Sequence, residues 1–108
     1  MSKKNGGSNL ERYNHFKKLY DNAIKKYKIE EYKSSYCSFD SVANGYRFEN
    51  EELAYDAKYY LALHFLIGLG ITKNLDKAQN LFKEVFTSSS KYKERAKQKL
   101  LDFIKYAG

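Results

Sequence analysis

Apolar residues recur at intervals of three and four along most of this chain, and its 108 residues contain no proline. Such spacing places side chains on one face of an α-helix, where they can be buried together. Without proline, no helix interior contains the residue that most often breaks a helix. The pattern predicts an all-α fold of about five antiparallel helices joined by short loops, with no strand.

The polar beginning of the chain predicts a flexible leader over residues 1–8, followed by one helical domain over residues 9–108. We expect Ser8 or Asn9 to cap the first helix, because its side-chain oxygen can accept a hydrogen bond from a free backbone N–H. The domain is predicted to have three parts. These are N-terminal helices (9–50), a central helical hairpin (51–87) and a C-terminal helix (88–108).

Turn and capping residues mark the expected ends of the helices. Asn44-Gly45 is predicted to end the second helix, because both residues tolerate positive φ. Asn50 and Asn74 are predicted N-caps of the next two helices.

The segment Ala57–Val85 has a more specific pattern, AKYYLALHFLIGLGITKNLDKAQNLFKEV. It combines small residues, aromatic residues, a Gly-x-Gly turn and an acid followed by Lys-Ala. These places are held by Ala57, Leu61, Ala62, Phe65, Gly68-Leu69-Gly70-Ile71, Asp76-Lys77-Ala78 and Phe82. In this respect the segment resembles a Sel1-like repeat, a relative of the tetratricopeptide repeat.

The resemblance implies a short array of helical hairpins with a groove that docks another polypeptide, as Sel1-like adaptors do. The sequence departs from the family pattern at Ala62, where Gly is most common. A second repeat could begin at Ala96, but the sequence ends at Gly108 before its turn. Because a helical repeat needs neighbours to cover its faces, the N-terminal helices are expected to cap the array. A homodimer is the alternative to a monomer.

The first helix of each hairpin in such repeats lines the binding face, which suggests candidate partner-binding residues in the central segment. These candidates are Tyr55, Tyr59, Tyr60, Leu63 and His64. Exposed aromatic residues are typical anchors of protein interfaces. The alternative is that these side chains pack against the N-terminal helices.

The chain is basic, with a formal net charge of +7, and only three of its 20 basic residues are arginine. A positive surface favours an acidic protein partner and speeds its capture. A candidate basic patch consists of Lys17, Lys18, Lys25, Lys93 and Lys97. Nucleic acid is the alternative partner, although phosphate-binding surfaces usually favour arginine over lysine. Lysines of this kind are also common on solvated helix faces.

No constellation of residues predicts catalysis, a metal site or a cofactor. The chain has one cysteine and two histidines, Cys37, His15 and His64. A buried or half-buried, inert Cys37 is expected. The longest apolar run is too short for a membrane span, and no secretory signal precedes it, so the expected location is the cytoplasm.

Together these features predict a non-catalytic protein–protein interaction module. Its expected classes are a bacterial adaptor, an inhibitor or an immunity-type protein. The alternative is a basic helical protein that binds nucleic acid.

Overall fold

The computed structural model describes residues 2–45 and 51–107, and within those ranges it contains five α-helices and no strand. The helices are α1 (Ser2–Lys28), α2 (Tyr32–Gly45), α3 (Glu51–Ile67), α4 (Leu75–Phe86) and α5 (Lys93–Ala107). Each helix packs mainly against its neighbours in sequence. This confirms the predicted all-α class and the array of helical hairpins. None of the helices in the described ranges has the length and apolar composition of a membrane span.

The helix boundaries differ from the prediction at the start of the chain. Helix α1 begins at Ser2, so it runs through residues predicted as a leader and passes the expected cap at Ser8 or Asn9. No proline interrupts the backbone hydrogen bonding there, and a polar sequence alone does not end a helix. The predicted cap at Asn50 lies outside the described residues. The cap at Asn74 is confirmed, since its side-chain oxygen accepts a hydrogen bond from the Lys77 backbone N–H at 3.0 Å.

Helix α1 ends in a Schellman motif, in which two backbone N–H groups satisfy carbonyls of the last turn. Glu31 N–H donates to Lys26 O at 2.9 Å, and Glu30 N–H donates to Tyr27 O at 3.1 Å. Glu30 occupies the left-handed position of this motif, with φ of 64°, where glycine is most common. The motif reverses the chain and sets α2 against α1.

Gly45 is the last described residue of α2, and it lacks the positive φ that the prediction assumed. Among the described glycines, only Gly68 and Gly70 have positive φ. A β-carbon at Gly45 would instead lie 2.9 Å from the ring of Phe16 on α1. Glycine therefore permits the close approach of α2 to α1.

The turn between α3 and α4 depends on two glycines in the left-handed region. Gly68 and Gly70 have φ values of 84° and 71°. Leu69 N–H donates to His64 O at 3.0 Å, and Asn74 N–H donates to Phe65 O at 2.9 Å, which closes the turn over the end of α3. A β-carbon at Gly70 would lie 2.5 Å from the backbone nitrogen of Lys33. The turn thus packs against the first turn of α2.

The core consists of side chains from all five helices, and small residues let the middle helices approach. Ala57, Ala62 and Ala78 are fully buried between α3 and its neighbours. Among the described residues, Phe39 and Phe82 are the largest fully buried apolar side chains. Burying one such side chain contributes about 2–3 kcal/mol to the free energy of unfolding.

We expect Gly70→Ala to lower the free energy of unfolding by about 3 kcal/mol, because alanine disfavours this φ and its β-carbon meets backbone atoms of α2. Urea denaturation measures the change. Lys83→Ala, an exposed substitution on α4, is the control and should stay within about 0.5 kcal/mol of the unmodified chain. Equal stabilities for the two variants would contradict this account of the turn.

Candidate functional site

A groove of about 570 Å³ lies between α1, α3 and the turn that leads into α5. Three tyrosines, Tyr20, Tyr60 and Tyr92, line it together with basic side chains from two elements. The remaining lining residues are Lys17, Asp21, Ile24, Lys25, Lys28 and Lys91. We call this surface the tyrosine groove.

A smaller depression of about 210 Å³ continues the tyrosine groove toward the start of α3. The two share Lys17, Tyr20 and Lys91. This continuation contains two carboxylates, Glu52 and Asp56. The lining therefore changes from mainly cationic to mixed charge along its length.

A buried carboxylate positions the wall of the groove that comes from the α4–α5 turn. Asp56 on α3 accepts a hydrogen bond from the Ser90 hydroxyl at 2.5 Å. The Ser90 hydroxyl oxygen in turn accepts the backbone N–H of Tyr92 at 3.1 Å, which caps the start of α5. Burial raises the pKa of Asp56, while the hydrogen bond from Ser90 opposes that rise. These contacts hold Lys91 and Tyr92 beside α3.

Aromatic contacts fix the orientation of the tyrosines. The ring of Tyr60 stacks on Phe39 of α2 with centroids 4.9 Å apart. The ring of Tyr92 stacks on Tyr59 of α3 at 4.6 Å. Tyr20 of α1 meets Tyr60 edge-on at 6.4 Å. Offset-stacked and edge-on pairs are the favoured geometries of aromatic rings, so these side chains form a rigid floor.

The hydroxyls of these tyrosines meet at one point. Tyr92 Oη lies 3.1 Å from Tyr60 Oη and 3.4 Å from Tyr20 Oη. Burial raises the pKa of both Tyr20 and Tyr60, and the hydrogen bond that each makes with Tyr92 raises it further. Both phenols therefore stay protonated at neutral pH and can donate hydrogen bonds.

The lysines of the groove differ in how their charge is balanced. Lys17 Nζ pairs with Asp21 at 2.7 Å, and that hydrogen bond raises the pKa of Lys17. Lys91 lies close enough to Asp56 for its charge to lower the pKa of that carboxyl. Within the described residues, no ion pair involves Lys25 or Lys28. The cationic end of the groove is thus near the C-terminus of α1.

His64 has a structural role in the core. Its side chain is 0% exposed, and its Nδ1 lies 2.7 Å from the carbonyl oxygen of Leu69. Since a carbonyl can only accept, Nδ1 donates, and in the neutral ring Nε2 is an acceptor. The Ser35 hydroxyl lies 3.0 Å from Nε2 and 3.2 Å from the Tyr32 carbonyl oxygen, so its one hydrogen is shared between these two acceptors. The imidazole therefore links α2 to the α3–α4 turn. Burial lowers its pKa, against the opposing effect of the bond to Leu69.

The structure separates the five candidate partner-binding residues into three groups. His64 is buried and packs against α1 and α2, as the alternative proposed. Tyr59 is also buried, with 6% exposed, but it packs against Phe82 of α4 and Tyr92 at the entry to α5. Tyr60 is half-buried and lies in the floor of the tyrosine groove. Tyr55 and Leu63 are half-buried and do not line the groove. Lys58 Nζ lies 4.8 Å from the ring of Tyr55.

The candidate basic patch is also divided. Lys17 and Lys25 line the tyrosine groove. Lys18, Lys93 and Lys97 are exposed but do not line it. Sequence reasoning missed Tyr20, Tyr92, Lys28 and Lys91 as site residues. The apolar stripe of α1 contained Tyr20, but nothing in the sequence showed that it meets Tyr92 across the fold.

Cys37 is exposed on α2, so the prediction of a buried or half-buried thiol is wrong. Its neighbours Tyr36 and Phe39 take the inward positions of that helix turn, Tyr36 half-buried and Phe39 fully buried.

Apolar side chains are exposed at the end of α3 and on α5. Ile67, Leu101 and Ile104 are exposed there, next to an apolar groove of about 370 Å³ formed by Leu66, Leu75 and Phe103 with parts of α5. Contiguous apolar surface is typical of interaction sites. A second copy of the chain, the predicted alternative to a monomer, would find apolar side chains to pack against there.

Comparison of this chain with known protein families, with curated proteins and with solved structures finds no match.

We expect the free energy of unfolding to decrease as the pH falls below 6.5, the ordinary pKa of histidine. Below pH 6.5 the His64 side chain of the unfolded chain binds a proton. In the folded chain the same side chain stays neutral until the pH falls to its own, lower pKa. The slope for this group is at most about 1.4 kcal/mol per pH unit.

Urea denaturation at about pH 7.5 and about pH 5.5 tests this expectation. His64→Gln should lose part of the pH dependence, whereas His15→Gln, at an exposed position, should retain it. The same pH dependence in all three proteins would contradict the assignment of a neutral, buried imidazole.

Proposed function

We propose that this chain is a non-catalytic protein-interaction module that binds a polypeptide segment in the tyrosine groove. The observation that carries the proposal is the convergence of α1, α3 and the α4–α5 turn on a groove with an aromatic floor and lysines at its rim. Tyrosine supplies contact area with little loss of side-chain entropy, and it is enriched at the centres of interfaces.

The rigid floor supports this proposal because it lowers the entropic cost of binding. Tyr60 and Tyr92 are held by ring contacts to residues of the core, Phe39 and Tyr59. Their orientation is therefore set before a partner arrives. Preorganisation of this kind raises affinity without adding contacts.

The charge distribution favours a polypeptide over nucleic acid. The cationic end of the groove is short, and Glu52 and Asp56 follow it within the continuation. A phosphate backbone carries negative charge at every step and would approach the exposed carboxylate of Glu52, with the buried Asp56 behind it. A polypeptide can place acidic residues at one end and neutral or basic residues at the other.

The resemblance to Sel1-like repeats is part of the proposal. Two observations support it: positions that the pattern assigns to the helix contact, Ala57, Ala62 and Phe82, are fully buried, and the two glycines of the turn, Gly68 and Gly70, have positive φ. An adaptor, an inhibitor or an immunity-type protein that acts in the cytoplasm fits this interpretation.

Nucleic acid remains the second candidate, and one observation favours it. The exposed lysines Lys93 and Lys97 on α5 lie outside the groove and add to the net charge of +7. Binding through such a face would weaken steeply with salt and disappear after nuclease treatment.

Affinity capture from a lysate of the native host, with and without nuclease, tests the proposal. We expect one protein to survive nuclease and to be reduced at least about fivefold by Lys25→Glu combined with Lys28→Glu. The matched control is Lys93→Glu combined with Lys97→Glu, which reverses the same charge outside the groove. Thermal melts establish that both variants are folded.

Retention of the captured protein by the groove variant, and its loss from the α5 variant, would contradict the proposed site. Recovery of nucleic acid, or of proteins that disappear with nuclease, would contradict the proposed class of partner.

A further inference from the structure

We infer that the hydroxyl cluster of Tyr20, Tyr60 and Tyr92, together with Lys25, Lys28 and Lys91, binds a carboxylate of an acidic polypeptide segment. This inference rests on the proposed function and specifies the partner's chemistry.

Counting hydrogens shows that the cluster has a donor to spare. Three phenols carry three O–H hydrogens, and within the described residues the cluster makes two hydrogen bonds, both between its own members. Two hydrogens are used in those bonds. One O–H is therefore left over, whichever direction the two bonds take.

The direction of the two hydrogen bonds decides which hydroxyl carries the spare hydrogen. All three tyrosines line the groove, and Tyr60 and Tyr92 are the more exposed of them. The spare donor therefore belongs to a residue of the groove lining, whichever phenol holds it. That donor is strengthened by the neighbouring phenols, because hydrogen bonds in a chain polarise one another. The ligand must supply an acceptor at this point.

The surrounding charge shows that the acceptor is an anion. Lys25 and Lys28 come from the last turns of α1, and Lys91 comes from the opposite wall. The dipole of α1 stabilises cations at its C-terminus without any ligand. Lys91 belongs to the turn before α5, beyond the reach of that dipole, and its charge is partly balanced by Asp56. Ammonium groups on two sides of a phenol donor favour a carboxylate.

The mixed-charge continuation of the groove determines how the bound segment of the partner is oriented along it. Glu52 and Asp56 lie beyond Lys17, away from Lys25 and Lys28. The acidic residues of the partner therefore lie against the end of α1. Residues of the partner that reach the start of α3 are neutral or basic.

Fluorescence anisotropy with a labelled decaglutamate peptide tests the inference at low salt. We expect Tyr60→Phe combined with Tyr92→Phe to weaken binding about tenfold, because both rings remain while the donors are removed. Tyr36→Phe on α2, outside the groove, is the matched control and should bind as the unmodified chain does. Lys25→Gln should weaken binding more than Lys83→Gln, which removes the same charge from α4.

Three results would overturn the inference. The first is no binding of decaglutamate by the unmodified chain. The second is equal affinity in the tyrosine double variant and in Tyr36→Phe, with unchanged melting temperatures. The third is tighter binding of a single-stranded oligothymidylate of matched length that the groove variants also weaken, which would assign the groove to nucleic acid.

Capture of the partner protein with the tyrosine and the lysine variants distinguishes failure of this inference from failure of the proposed function. If that protein binds through the groove but is unaffected by the tyrosine double variant, the carboxylate inference fails and the interaction module stands. If Lys25→Glu combined with Lys28→Glu leaves capture unchanged, the proposed groove itself fails.

Discussion

The tyrosine groove depends on the packing of the Tyr60 ring. This ring stacks on Phe39 of α2 and meets Tyr20 and Tyr27 of α1 edge-on. Its hydroxyl also reaches Tyr92 at the entry to α5. Each helix otherwise packs mainly on its sequence neighbours. The contacts of Tyr60 therefore contribute to holding α1, α3 and the start of α5 around one groove.

The same side chains serve as core and as surface, which explains why the groove is rigid. The faces of the tyrosine rings pack against other side chains, and their hydroxyls converge at the edge of the core. Within the part of the chain that the structure describes, one hydroxyl hydrogen of the cluster has no acceptor. Asp56 also fixes the position of Tyr92. Its carboxylate accepts a hydrogen bond from the Ser90 hydroxyl, and the oxygen of that hydroxyl accepts one from the Tyr92 backbone N–H. The floor of the groove therefore offers a partner aromatic rings for dispersion contacts and, where the hydroxyls meet, a site for hydrogen bonds.

Local patterns predicted much of the fold and only part of the groove. The apolar spacing predicted the helices, and Asn74, Gly68 and Gly70 marked a cap and a turn through local backbone chemistry. The groove depends on residues far apart in sequence, such as Tyr20 and Tyr92, which are 72 positions apart. His64 looked like a groove residue because its partners, the Ser35 hydroxyl and the Leu69 carbonyl, come together only in the folded chain. Periodicity alone does not show which polar residue is satisfied in the core.

We propose that ligands bind between α1, α3 and the start of α5. NMR spectra of the isotope-labelled chain, recorded during titration with decaglutamate, locate the binding surface residue by residue. We expect the largest shift changes at Lys25, Lys28, Tyr60, Lys91 and Tyr92. Changes confined to the α2–α4 surface around Asn44 and Asn80, or to the apolar end around Leu101 and Ile104, would contradict it.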